Sequence, residues 1–177
     1  MRRRAFVALP ALGLLVLGLS ACRGPERRGA VTTVVLVRHA EKLDDADPDS
    51  PLSEAGRARA RALVPQLEAF RPDVLIVSQR QRTAQTMAPL AAKLGLAPLV
   101  RDNGKAAELA GEILTAHRGR TVVLAWHHGP HEPLVRALGV RGPLPAWTPA
   151  TYDRIWIVKV DGAGQAAFEE RRQAPVP

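Results

Sequence analysis

Apolar positions along this chain fall into two alternating patterns. Short runs of mostly β-branched or aliphatic residues at Thr32–Val37, Asp73–Ser78, Thr121–Trp126 and Ile155–Val160 lack the polar alternation of a half-solvated strand. They predict β-strands, the valine-rich ones covered on both faces. Between them the apolar residues recur at helical spacing. Ser53 is placed to cap a first helix carrying Ala60, Leu63, Leu67 and Phe70, which Pro65 is expected to kink or interrupt. A second helix over Thr83–Leu94 presents Ala84, Met87, Ala88 and Ala91, and Gly95 is its expected stop. A third spans Ala106–His117, and a fourth is expected to start near Pro133, taken as a first helical position. Strands alternating with helices imply an α/β protein, a three-layer α/β/α sandwich around a mainly parallel central sheet.

With 177 residues the chain suits one domain with a well-buried core. The formal net charge is +8, of which Arg2, Arg3 and Arg4 supply three, leaving +5 for the rest. Those remaining charges are scattered and aromatics make up only 4% of the chain, so no stacking platform for nucleic acid is expected. The N-terminus carries a different signal. "MRRR" precedes the apolar "AFVALPALGLLVLGLS", which is broken by Pro10, Gly13 and Gly18 and is shorter than the roughly 20 residues a spanning helix needs. It reads as an export signal.

The first, second and third strand candidates end in residues that belong together chemically. The first ends at Arg38 and His39, the second leads from Ser78 to Arg80, Arg82 and Thr83, and the third ends at His127 and His128. If these strands are parallel neighbours, their C-terminal ends open on one crevice. Crowding guanidinium groups and imidazoles is unfavourable unless an anion sits among them, and planar guanidinium forks suit a tetrahedral oxyanion. A phosphoryl group is the expected occupant.

"LVRHAEK", "PLSEAGRARA", "SQRQRTAQT" and "VVLAWHHG", in this order over about residues 32 to 160, resemble the histidine phosphatase superfamily in its small, uninserted, phosphoglycerate-mutase-like form. "LSAC", ending at Cys22, resembles the lipobox of bacterial lipoproteins, whose cysteine is lipidated and becomes the first residue of the mature protein. The resulting division is a signal peptide over 1–22, a flexible tether over 23–30, the phosphatase domain over 31–165 and a tail over 166–177. Cys22 is the only cysteine, which excludes an internal disulfide and a thiolate metal site.

The phosphatase resemblance implies His39 as a nucleophile that forms a phosphohistidine, with Arg38, Arg82 and the second histidine on the phosphoryl oxygens. It implies no metal and no cofactor. The Arg-Thr pattern after the serine loop selects Arg82 over Arg80. For the second histidine the sequence leaves His127 and His128 open, and the motif pattern favours His128 as the catalytic one with His127 binding substrate. A zinc site from His127, His128 and His131 is disfavoured because adjacent strand residues point to opposite faces. For the general acid Asp102, which follows the apolar "APLV", is the first candidate, ahead of Glu41 and Glu108. The absence of an obvious glutamate motif argues against mutase activity. The expected function is a metal-independent phosphatase acting on small phosphate monoesters or a phosphoramidate, attached by lipid to the bacterial envelope on its periplasmic or extracellular face. The alternative is a lipoprotein that binds a phosphorylated envelope component without turning it over.

Overall fold

The computed structural model describes residues 30–175. The expected signal peptide, Cys22 and the tether up to residue 29 lie outside the described residues. The elements run β1 (Thr32–Arg38), α1 (Glu54–Glu68), β2 (Val74–Ser78), α2 (Gln81–Leu94), β3 (Leu99–Arg101), α3 (Ala106–Ala116), β4 (Thr121–Trp126), α4 (His128–Ala137), β5 (Arg154–Val160) and β6 (Ala166–Arg172). They build one sheet in the order β3-β2-β4-β1-β5-β6. The first four strands in that order are mutually parallel, β5 runs antiparallel to β1, and β6 antiparallel to β5.

Residues i and i+1 of a strand face opposite sides of the sheet, so continuous apolar runs fill two cores at once. Val35, Val37, Leu75, Val77, Val123 and Ala125 pack on Leu63 and Leu67 of α1 and Met87 and Leu90 of α2. Val34, Leu36, Ile76, Val122, Leu124 and Trp126 pack on Leu109 and Ile113 of α3 and Leu134 and Val135 of α4. Each such side chain withdrawn from water contributes on the order of 2 kcal/mol. This is the expected three-layer sandwich.

Several local expectations are corrected. Pro65 lies inside α1 without ending it, because Leu63 and Leu67 on either side are anchored in the core and their burial offsets the lost hydrogen bond. Pro133 likewise lies inside α4, which begins at His128, directly after β4. Residues 166–172, expected in the tail, form the edge strand β6, whose alternating partly buried and exposed residues pair with β5.

Two local features fasten the end of β1 to α1. Ser53 caps α1 as expected, its Oγ accepting from Gly56 N at 3.1 Å and donating to Glu41 O at 3.2 Å. Gly56 itself admits no side chain: a Cβ there would lie 2.1 Å from Glu41 O. The "PLSEAGRARA" segment is thus a backbone-on-backbone joint immediately behind the Arg38–His39 pair.

Candidate active site

β4 lies between β1 and β2, so the C-terminal ends of all three strands adjoin. Arg38 pairs with Trp126 across β1 and β4, and His39 N donates to Trp126 O at 2.9 Å, carrying the register one residue beyond the strands. His39 therefore faces the same side as Val37, and His127 the same side as Ala125, towards α1 and α2. Their ring centroids are 5.3 Å apart. Both residues are buried.

The ring of His39 is fixed by one hydrogen bond. Its Nδ1 lies 2.8 Å from Ala40 O, an acceptor, so Nδ1 carries the proton and Nε2 presents a free lone pair. Burial above all, then the charge of Arg38, lowers the pKa of His39 to about 3, so the imidazole is neutral at physiological pH. Ala40 is itself held by Thr86 of α2, whose Oγ1 accepts from Ala40 N at 2.9 Å and donates to Arg82 O at 2.7 Å.

His127 is oriented from the other side. Its Nε2 lies 2.8 Å from Ser78 Oγ at the end of β2, and its Nδ1 lies 3.5 Å from Arg82 Nη2. Arginine can only donate, so the consistent tautomer protonates Nε2, which donates to Ser78 Oγ, and turns the Nδ1 lone pair to Arg82. Ser78 Oγ then donates to Thr83 Oγ1 at 3.0 Å, and Thr83 donates to Arg80 O at 2.7 Å. Burial first and Arg82 second lower the pKa of His127 to about 3.

The two guanidinium groups are held very differently. Arg82, in the first turn of α2, donates from Nη1 to Pro48 O at 2.9 Å. Arg38 is buried: its Nη1 donates to the carbonyls of Thr148, Pro149 and Thr151, and its Nη2 donates to Tyr152 Oη at 3.1 Å. The guanidinium carbon also stands 3.8 Å from the Tyr152 ring centroid. In both arginines Nε is buried and has no partner among the described residues. Tyr152, edge-on to His39 at 6.1 Å, went unnoticed in the sequence.

The structure thus brings together His39, His127, Arg38 and Arg82, and parts them from other candidates. His128 begins α4, is half-buried, and feels chiefly the charges of Arg38 and Lys42 after burial. Strand alternation turns His127, rather than the pattern-favoured His128, towards His39. Asp102 follows β3, an edge strand, and is exposed, with its carboxylate on Gly104 N at 2.8 Å and Gln79 Nε2 at 3.5 Å. Glu41 is clamped by Arg59 at 2.6 Å, and Glu108 pairs with Lys105 on the exposed face of α3. None of the three carboxylates contacts the histidine pair. Among the described residues no group of three His, Cys, Asp or Glu side chains has the arrangement of a metal site. His131 is stacked on Trp147 at 4.1 Å in the core. A cleft of about 500 Å³ between α1 and α2, lined by Pro51, Ala60 and Pro89 among others, shares no residue with this group.

Residues 34–104 match the sequence model of the histidine phosphatase superfamily (branch 1). An 8-oxo-(d)GTP phosphatase of Mycolicibacterium smegmatis is 42% identical over 67 residues, 35% of this chain and 21% of the relative, so the chain spans about a fifth of that protein's length. A mycobacterial glucosyl-3-phosphoglycerate phosphatase superposes with a TM-score of 0.66 at 16% identity, covering 81% of this chain and 100% of its own. The protein histidine phosphatase SixA, complexed with tungstate, superposes with a TM-score of 0.59 at 22% identity, covering 80% and 97%. Residues 34–104 thus resemble the histidine phosphatase superfamily in sequence, and the fold resembles that of solved phosphatases.

Proposed function

We propose that the chain is a metal-independent phosphatase that hydrolyses small phosphate monoesters, or a phosphoramidate, through a phosphohistidine on His39. The observation that carries this reading is the His39 ring: neutral, pinned through Nδ1 to Ala40 O, with Nε2 free beside two guanidinium groups. Nε2 attacks phosphorus, the leaving oxygen departs, and water then cleaves the phosphohistidine. Arg82 and Arg38 offset the charge of the phosphoryl oxygens. His127, neutral while the pocket holds only cations, gains a reason to take a proton on Nδ1 once a dianion replaces its unfavourable neighbourhood. The tungstate bound to SixA, a tetrahedral oxyanion, supports the same occupant here.

The test is rapid acid-free quenching of the purified full-length protein during turnover of radiolabelled aryl phosphate, followed by peptide mapping. Label that is acid-labile, alkali-stable and confined to the His39 peptide is expected, with EDTA leaving turnover unchanged. Binding of phosphate with neither label nor turnover would establish the non-catalytic alternative.

The proposed location is the bacterial envelope, through lipid on Cys22. Its support is the basic-then-apolar N-terminus ending in "LSAC". Stable anchoring takes more than one acyl chain, which a lipobox cysteine receives. Metabolic labelling with a fatty acid is expected to mark the wild-type protein and not Cys22→Ser. A mature protein that begins well after Cys22 and carries no lipid would show ordinary secretion instead.

A further inference from the structure

We propose that Tyr152 is the proton donor to the leaving group, an assignment that rests on the phosphohistidine reading above. Among the described carboxylates around the site, Glu41 is taken by Arg59, Asp49 Oδ1 accepts from Gln81 N at the start of α2, and Asp47 Oδ1 accepts from Asp49 N. Tyr152 differs from them in both position and chemistry. Its ring stands edge-on to His39, and its oxygen accepts from Arg38 Nη2 at 3.1 Å. A phenol both donates and accepts. With the acceptor side occupied by a cation, the O–H is left to be given away.

The way Arg38 is held makes this more than proximity. Three carbonyls between Thr148 and Thr151 hold its Nη1, and Trp147 closes the same turn by donating from Nε1 to Thr151 O at 2.9 Å. Trp147 is stacked in turn on the fully buried His131. The turn is therefore pinned at both ends, and it presents Tyr152 in one place.

His39 Nε2 bonds to phosphorus as the bond from phosphorus to the leaving oxygen breaks, and the Tyr152 proton passes to that oxygen. In the second half the phenolate takes a proton from the attacking water, the new P–O bond forms, and the His39 Nε2–P bond breaks. Phosphate and the neutral phenol result, with no other reactant needed.

The test is Tyr152→Phe in the full-length protein, which keeps the ring under Arg38 and removes only the oxygen. An alkyl phosphate has a basic leaving oxygen that needs the proton, and p-nitrophenyl phosphate does not. Expected is a loss in kcat/KM on the order of 100-fold or more for the alkyl ester and less than about 10-fold for the aryl ester. Label from the aryl ester should still accumulate on His39. In the unmodified enzyme a solvent deuterium effect on kcat should be larger for the alkyl ester, a readout independent of any variant. Equal losses for both esters, or no difference in isotope effect, would reduce Tyr152 to a support for Arg38. Absence of label on wild-type His39 would overturn the phosphatase reading and this assignment with it.

Discussion

His39→Ala is expected to stop phosphate-ester turnover, by on the order of 10⁴-fold or more, while inorganic phosphate still binds. Removing the imidazole deletes the covalent route but leaves Arg82 on Pro48 O and Arg38 on its three carbonyls, so the anion site keeps its charge and its shape. Measured as kcat for an aryl phosphate and as the inhibition constant of phosphate, the first should collapse and the second should move little. The companion substitutions decide the second histidine. His127→Ala should cost about 100-fold or more, because its Nδ1 lies beside Arg82, where charge develops. His128→Ala should cost only a few-fold, since His128 begins α4 and the ring packed beside His39 is that of His127. A larger loss at His128 than at His127 would restore the motif-based choice and remove the argument from alternation. Retained turnover in His39→Ala would end the phosphohistidine mechanism.

Much of this site was legible because parallel strands end together. Arg38, His39, Arg82 and His127 each follow a run of buried aliphatic residues, and a run apolar on both faces announces a central strand whose end opens on the ligand crevice. The placement of His127 rather than His128 beside His39 also had a signal in the sequence. Trp126, the last large apolar residue of β4, belongs to the α3 and α4 side, so the next residue must face α1 and α2, where Arg82 and Ser78 lie. Counting alternation from Trp126 selects His127 without any motif.

Tyr152 and β6 had no comparable signal. Tyr152 sits in an irregular stretch after α4, held by hydrogen bonds from Arg38 to backbone carbonyls, which carry no side-chain pattern to read. "AAFEERR" is half solvated and charged, as suits an edge strand, and such a run resembles a polar tail until its partner β5 is known. Pro65 and Pro133 misled for a related reason, since local chain preference was outweighed by the burial of neighbours such as Leu67 and Leu134. Asp102 was well placed in sequence, directly after a strand. That strand is the outermost, however, and its end lies in solvent rather than in the crevice.

Stability is expected to fall steeply between neutral pH and about pH 4, ahead of the bulk of carboxylate titration. His39, His127 and His131 are all buried, and burial is the largest cause that lowers each pKa to about 3, from 6.5. His131 is the extreme case: the carbonyls of His127 and Val37 favour a proton on it, yet neither closes a hydrogen bond with its ring. Between the unfolded and folded values the unfolded chain binds protons that the folded chain refuses, so the stability of the fold rises with pH through this window. The contribution is complete above the unfolded imidazole value and is lost as pH falls towards 3. Each histidine adds about 1.4 kcal/mol per pH unit over the window, and the three together about 4 kcal/mol per pH unit. Against a whole stability of about 5–15 kcal/mol, two pH units would remove about 8 kcal/mol, a large share of it. Denaturant unfolding at stepped pH should give this slope. His131→Phe keeps a ring against Trp147 and removes one titrating group, so it should reduce the slope by about a third and move the acid midpoint down. An unchanged slope in that variant would show that His131 accepts its proton in the folded state. Phosphate should also shift the midpoint down, because an anion beside His39 and His127 stabilises only the folded chain.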